Sequence, residues 1–246
     1  MIQAETVSIS YPDGTKALNG LSFAVGEGES VALVGANGAG KSTLLLATVG
    51  ILPVAEGTLF LDGVCVEKKH LKTVRERAGL VFQNPDDQLF MPTVYEDVAF
   101  GPRQSGLSEK TVKQRVMETL SLFHAEKLAD KAPYKLSGGE KRTAALCSVL
   151  SMRPKILLMD EPSSFLDPGA RRKMIRMLSA LPITKLIATH DLDLALDLCT
   201  RVLVLKEGSL FADGSTSDIL RDQVLLEACG LELPFRFQGE EKNESD

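Results

Sequence analysis

The sequence predicts an α/β domain with a layered core, and three observations predict it. Short, mostly apolar runs at residues 31–34 (VALV), 156–159 (ILLM), 185–188 (KLIA) and 202–205 (VLVL) suit parallel strands buried on both faces. Helical patterning lies between such runs, clearest where Val112, Val116, Leu120 and Phe123 recur every three or four residues. The first run leads into Gly35-Ala36-Asn37-Gly38-Ala39-Gly40-Lys41-Ser42-Thr43, which meets the G-x-x-x-x-G-K-[ST] pattern of a loop that cradles nucleotide phosphates.

The other elements follow in chain order. Residues 1–30 carry short alternating segments broken by Pro12-Asp13-Gly14 and Gly26-Glu27-Gly28, which predicts an antiparallel hairpin region. A helix over 42–49 leaves the phosphate loop, and residues 57–63 read as a second hairpin. Residues 84–150 are expected to form a helical insertion, with Ser108-Glu109-Lys110 as one helix start. Residues 238–246 hold no apolar residue to bury, and 236–246 is expected to be a disordered tail behind one domain spanning 1–235.

Composition narrows the function. With 246 residues and 44% hydrophobic content the chain can build one sizeable core, and no second catalytic domain fits. A formal net charge of -5 argues against a nucleic-acid partner held by bulk electrostatics. No apolar run reaches the roughly 18 residues of a membrane span, and Met1-Ile2-Gln3-Ala4-Glu5 lacks the parts of a signal peptide, so an intracellular chain is expected. Cys65, Cys147, Cys199 and Cys229 show no C-x-x-C spacing and read as reduced apolar filler. His70, His124 and His190 are too far apart to suggest a metal cluster.

Three motifs carry chemistry. At the phosphate loop, glycines let backbone amides approach phosphate oxygens at a helix N-terminus, Lys41 would neutralise the β- and γ-phosphates, and Ser42 would ligate Mg²⁺. The strand 156–159 delivers Asp160 and Glu161 to opposite faces, so the two acids can divide the work. Asp160 would hold the Mg²⁺ shell and Glu161 would orient and deprotonate an attacking water, the alternative being a solvated strand end before Pro162. Ser137-Gly138-Gly139-Glu140 before a helix is a second anion-binding helix start, although a plain flexible turn would look the same.

In this order the phosphate loop, Gln83, Leu136-Ser137-Gly138-Gly139-Glu140, Asp160-Glu161 and His190 resemble the ATP-binding cassette (ABC) ATPases, over residues 1 to about 230. The resemblance implies a P-loop NTPase core with an antiparallel β lobe and an inserted helical lobe. It also implies head-to-tail pairing of two cassettes, each ATP lying between one subunit's phosphate loop and the other's Ser137-Gly138-Gly139 turn. By the same resemblance Tyr11 stacks on adenine, unless it is an ordinary aromatic before its turn. Gln83 touches Mg²⁺ and the attacking water, His190 contacts the γ-phosphate, and Asp167 communicates across the dimer. Phe165 departs from the usual small residue in that last loop, which leaves its packing against the partner open.

A finer resemblance lies in Phe82-Gln83-Asn84-Pro85-Asp86-Asp87-Gln88-Leu89-Phe90 and Glu96-Asp97-Val98-Ala99-Phe100-Gly101-Pro102, which look like the energy-coupling-factor (ECF) importers and their cobalt/nickel group. Such importers pair two cassettes, identical or paralogous, on the cytoplasmic face of the membrane with a transmembrane coupling protein and a small substrate-capture membrane protein. Asp86 and Asp87 could receive a basic coupling helix or could belong to a solvated loop. No residue is placed to bind cobalt or nickel, so vitamin import by the same machinery is the alternative. Non-transport ABC ATPases of ribosomes or DNA carry second cassettes or coiled coils that have no room here, and intact Lys41, Ser137, Glu161 and His190 speak against an inactive regulatory cassette.

Overall fold

The structure, a computed structural model, describes residues 1–239. Strands β1 (Ile2–Ser10) and β2 (Lys16–Val25) flank the Pro12-Asp13-Gly14 turn, and β3 (Ser30–Val34) enters the phosphate loop ahead of α1 (Lys41–Thr48). Then come β4 (Glu56–Leu61), β5 (Val64–Cys65), α2 (Leu71–Arg77) and β6 (Ala78–Val81). The helical segment contains α3 (Val94–Gln104), α4 (Glu109–Leu122) and α5 (Gly138–Leu150). The chain returns through β7 (Ile156–Asp160), α6 (Pro168–Ser179), β8 (Thr184–Ala188), α7 (Leu192–Leu198), β9 (Arg201–Lys206) and β10 (Ser209–Ser215), and ends with α8 (Thr216–Ile219) and α9 (Gln223–Ala228).

Two sheets result, ordered β2-β1-β4-β5 and β10-β9-β3-β8-β7-β6. The first is antiparallel throughout, while in the second only β10 runs against its neighbour. Each parallel strand alternates between two cores, as a strand covered on both faces must. Val31, Leu33, Ile156, Leu158, Leu203 and Leu205 face the core shared with the antiparallel sheet and α1. Ala32, Val34, Leu157, Met159, Val202 and Val204 face the core shared with α3, α4 and α5. The expected antiparallel, parallel and helical layers are therefore all present, and the helical segment sits between the adjacent strands β6 and β7.

Side-chain caps open the helices of this segment. Ser108 accepts a hydrogen bond from the Thr111 N–H at the start of α4, where the sequence places a helix start. Along α4, Val112, Val116 and Leu120 are fully buried, and Phe123 follows them into the core. Strand β6 has no such signal in the sequence: it is four residues long, and Gly79 sits where a Cβ would lie 2.1 Å from Val149 Cγ1. The glycine that weakens the strand pattern is what lets the sheet approach α5.

Residues 236–239, placed in the tail on composition, are not loose. Arg236 pairs with Asp193 and Asp197 at 2.8 and 2.6 Å, beside a 3-10 turn at Phe235–Phe237. The remainder of that expected tail, 240–246, lies outside the described residues. Among the described residues no helix is long and apolar enough to cross a membrane, and no group of metal-ligating side chains forms a cluster of three or more. All four cysteines are unpaired, and burial pushes the Cys147 and Cys199 thiols up to about 12, which keeps them as inert apolar volume.

Leu120 and Leu122 differ in burial on one helix, the first fully enclosed and the second 56% exposed. Leu120→Ala should cost about 2–5 kcal/mol in urea unfolding, whereas Leu122→Ala should stay within about 0.5 kcal/mol.

Candidate functional site

The carboxyl ends of β3, β6, β7 and β8 open onto one cleft of about 700 Å³, bordered by the phosphate loop, Tyr11, Gln83, Asp160, Glu161 and His190. Parallel pairing puts them there. Leu33 and Asp160 both sit opposite Ala188, so the segments leaving the three strands emerge side by side.

The phosphate loop needs its glycines where the backbone is crowded. Gly35 and Gly40 have φ of +153° and +103°, and a Cβ on either would lie 2.3 Å from Leu205 O or 2.5 Å from Leu18 Cδ2. Gly35, Ala36, Asn37, Gly38, Gly40, Lys41, Ser42 and Thr43 line the cleft, whereas Ala39 is buried in the core beneath. Lys41 folds back, donating to Gly35 O at 2.7 Å and Ala36 O at 3.2 Å. Burial lowers its pKa, and the charges of Glu161 and Asp160 oppose that shift. Tyr11, 37% exposed, has its hydroxyl 2.8 Å from Thr43 Oγ1, so its ring is tethered beside the loop.

Asp160 and Glu161 have separate surroundings, as opposite faces of a strand end require. Burial raises the Asp160 pKa and the Glu161 charge adds to the rise, while the Ser42 hydroxyl, Lys41 and Arg142 work against it. One Asp160 oxygen, Oδ1, is buried without a hydrogen-bond partner among the described residues. An unpartnered carboxylate oxygen beside a serine hydroxyl, with Gln83 on the same cleft, is a hard oxygen donor set that fits Mg²⁺. Glu161 holds the left-handed φ of +45° and is buried. Its Oε2 lies 2.8 Å from His190 Nδ1 and accepts from Thr189 Oγ1 and the His190 N–H at 3.3 Å each. The His190 ring is otherwise open, with 64% of the side chain exposed.

Ser137, Gly138, Gly139 and Glu140 are not on this cleft. They line a separate hollow of about 560 Å³ with Phe165 and Asp167. Ser137 caps α5 in a capping box, its Oγ accepting from Glu140 N while Glu140 Oε2 accepts from Ser137 N at 2.9 Å. Glu140 also pairs with Lys131 at 3.1 Å, so its carboxylate shapes the turn. Asp167 caps α6, accepting from the N–H groups of Gly169 and Ala170 at 2.8 and 3.0 Å. Phe165 is 90% exposed with φ +64°, an apolar ring presented outward from a strained backbone. Asp86 already has an internal partner, Lys141 Nζ at 2.6 Å.

Arg142 was not among the residues that the motifs point to. Only 2% exposed, it donates from α5 to Phe82 O at 2.8 Å and Gln83 O at 2.6 Å, which ties the Gln83 segment to the helix that Ser137 starts. Beside Lys141 it reads as half of a solvated basic pair. The available signal is helical spacing, since 142 shares a face with buried Ala145 and Leu146. Arg142→Ala should cost about 2–3 kcal/mol in urea unfolding, as two charge-assisted bonds are lost. Arg142→Lys should recover less than half of that, because one ammonium cannot reproduce the fork.

The comparisons with known proteins agree with this geometry. Residues 18–164 match the ABC transporter family. The chain is 49% identical over 239 residues to a Geobacter sulfurreducens protein whose name assigns it provisionally to the ATP-binding proteins of ABC transporters, covering 97% of this chain and 96% of that one. It is 46% identical over 239 residues to the energy-coupling factor transporter ATP-binding protein EcfA of Methanothermobacter thermautotrophicus, covering 95% and 77%. Among solved structures, cbiO1 of Clostridium perfringens, described as part of the ABC transporter complex cbiONQ, superposes with TM-score 0.82 at 36% identity, covering 92% of this chain and 93% of that one. The cassette MJ0796, solved as a dimer in a post-hydrolysis state bound to ADP and Pi, superposes with TM-score 0.79 at 27% identity, covering 88% and 99%. The phosphate loop and the carboxylate strand both fall inside the matched stretch, and the chain is an ATP-hydrolysing, ATP-binding protein of the ABC transporter family.

Proposed function

We propose that this chain is the ATPase subunit of an ECF-type importer, working on the cytoplasmic face of the membrane and coupling ATP binding and hydrolysis to solute uptake. The observation that carries the reading is the pairing of a complete phosphate cleft with a second anion-binding turn on a different hollow. A lone chain offers each half to a different ATP. A second cassette, identical or paralogous, is therefore the expected partner, and the dimeric MJ0796 cassette gives that arrangement a precedent.

Within the cleft, Glu161 is the general base that takes a proton from the water attacking the γ-phosphorus, as the bond to ADP breaks. His190 fixes the Glu161 carboxylate through its Nδ1 and offers its other nitrogen toward the γ-phosphate. Lys41 exchanges its loop carbonyls for the β- and γ-phosphate oxygens, the loop amides cradle the rest, and Tyr11 meets the adenine. Held by Ser42, Gln83 and Asp160, Mg²⁺ supplies neutralisation of the phosphate charge. From the partner, Ser137, Gly138 and Gly139 approach the γ-phosphate across the interface, Glu140 shapes their turn, and Asp167 positions the loop beside them.

Support for the ECF type comes from the relative named EcfA and from cbiO1, described as part of a cbiONQ complex; the partners proposed with that type are a transmembrane coupling protein and a substrate-capture membrane protein. Cobalt or nickel ions are the proposed cargo on the likeness to cbiO1, with a vitamin as the second reading because no group of metal-ligating side chains gathers among the described residues.

Glu161→Gln should lower kcat by about 10²–10⁴-fold while leaving ATP binding intact; near-normal turnover in a phosphate-release assay would remove Glu161 from its role. Affinity capture of the chain from detergent-solubilised membranes should recover one large and one small integral membrane protein. Recovery of ribosomal or DNA-bound partners alone would sink the importer reading.

A further inference from the structure

Helix α9 does not end in a free coil. Gly230 adopts φ +69°, and the N–H of Leu231 returns to Leu226 O at 2.9 Å, a Schellman-type closure that fixes the direction in which the chain leaves. That direction is toward the phosphate loop, where a Cβ on Gly230 would lie 3.7 Å from Ala36 Cβ. Gly230 and Leu231 border the same cleft as Lys41, Glu161 and His190. Leu231 also borders the neighbouring hollow of about 610 Å³, as does His190, so the two side chains stand on the divide between the two spaces.

The segment is then fastened at its far end. Arg236 donates through Nε to Asp193 Oδ1 at 2.8 Å and through Nη2 to Asp197 Oδ1 at 2.6 Å, and the Phe235 N–H donates to Asp193 Oδ2 at 2.8 Å. Both acids belong to α7, the helix that begins two residues after His190. Asp197 is shared with Arg171 at 3.5 Å, and Arg171 in turn grips Asp191, the cap of α7, at 2.8 and 3.0 Å. Gln238 Nε2 closes the strap on itself, donating to Leu233 O at 2.6 Å. Between its two anchors, Leu231, Leu233 and buried Pro234 lie against the protein.

We infer that residues 230–238 are a strap forming one wall of the nucleotide site. Leu231 is a nucleotide-contacting residue, and Arg236 is a positioning residue that holds Leu231 there by clamping the strap to α7. The ligand is the terminal-phosphate end of a nucleoside triphosphate, since Gly230 lies beside Ala36 of the phosphate loop and Leu231 beside His190. The inference rests on the reading of the cleft as the ATP site. Arg236 itself lies away from the cleft, so its loss acts on nucleotide binding only through the strap.

Steady-state ATP hydrolysis and calorimetric titration with ADP and with a non-hydrolysable ATP analogue, all on the full chain, test this in Leu231→Ala, Arg236→Ala and Arg236→Lys. The KM for ATP and the Kd for the ATP analogue should rise about five- to tenfold in Leu231→Ala and about threefold in Arg236→Ala, with kcat and the Kd for ADP within about twofold. Arg236→Lys, which keeps the charge but loses the fork, should fall between wild type and Arg236→Ala. A lowered Tm with KM and Kd unchanged in both truncations would make the strap merely structural and overturn the inference, as would a fall in kcat alone. Failure of the wild-type chain to bind ADP would instead overturn the reading of the cleft.

Discussion

Parallel pairing of β3, β7 and β8 is the constraint from which the rest follows. Ala188 is opposite both Leu33 and Asp160, so the phosphate loop, the two acids and His190 must leave the sheet at one level. A slip of one residue in this register would send every side chain on a strand to the opposite core, and both cores are packed with apolar residues that forbid it. Catalytic geometry is thus secured by hydrophobic burial far below the chemistry. The same packing supports the backbone at Glu161, where a non-glycine residue in the left-handed region is held by its N–H to Ala188 O at 2.8 Å.

A second theme is the division of the anion-binding surfaces. The cleft has nearly everything a phosphate transfer needs, including an unpartnered Asp160 oxygen and a carboxylate already fixed by His190. The Ser137 turn has backbone amides and glycines but no acid or base of the cleft beside it. Arg142 joins these regions mechanically, since it lies on the Ser137 helix and grips the carbonyl of Gln83. The Gln83 segment is thereby tied to the helix that begins at the Ser137 turn.

The sequence was most legible where function is local. The phosphate loop, the Asp160-Glu161 strand end and the caps at Ser108 and Ser137 each write their structure within a few residues, and all are found as the sequence predicts. It was least legible where structure rests on distant contacts. Arg142 binds carbonyls 59 and 60 residues away, and its helical spacing with Ala145 and Leu146 is the one local trace of its burial. Strand β6 hides behind Gly79, whose value is a close approach to Val149. Composition suggested a loose tail from residue 236 for want of apolar residues in 238–246, whereas Arg236 is received by Asp193 and Asp197 on α7, 43 and 39 residues away. Tyr11 and Asp167 were legible as positions, but their observed bonds, to Thr43 32 residues on and to the α6 amides, are ones that resemblance did not supply.

That two chains complete each site can be measured directly by mixing variants. Lys41→Ala removes the phosphate contact and Ser137→Arg blocks the opposing turn, so neither chain alone should hydrolyse ATP. A mixed pair would carry one intact composite site, and the mixture should regain a substantial fraction of wild-type activity. Wild-type turnover by Ser137→Arg alone would contradict the account, because the Ser137 turn would then lie outside the reacting site.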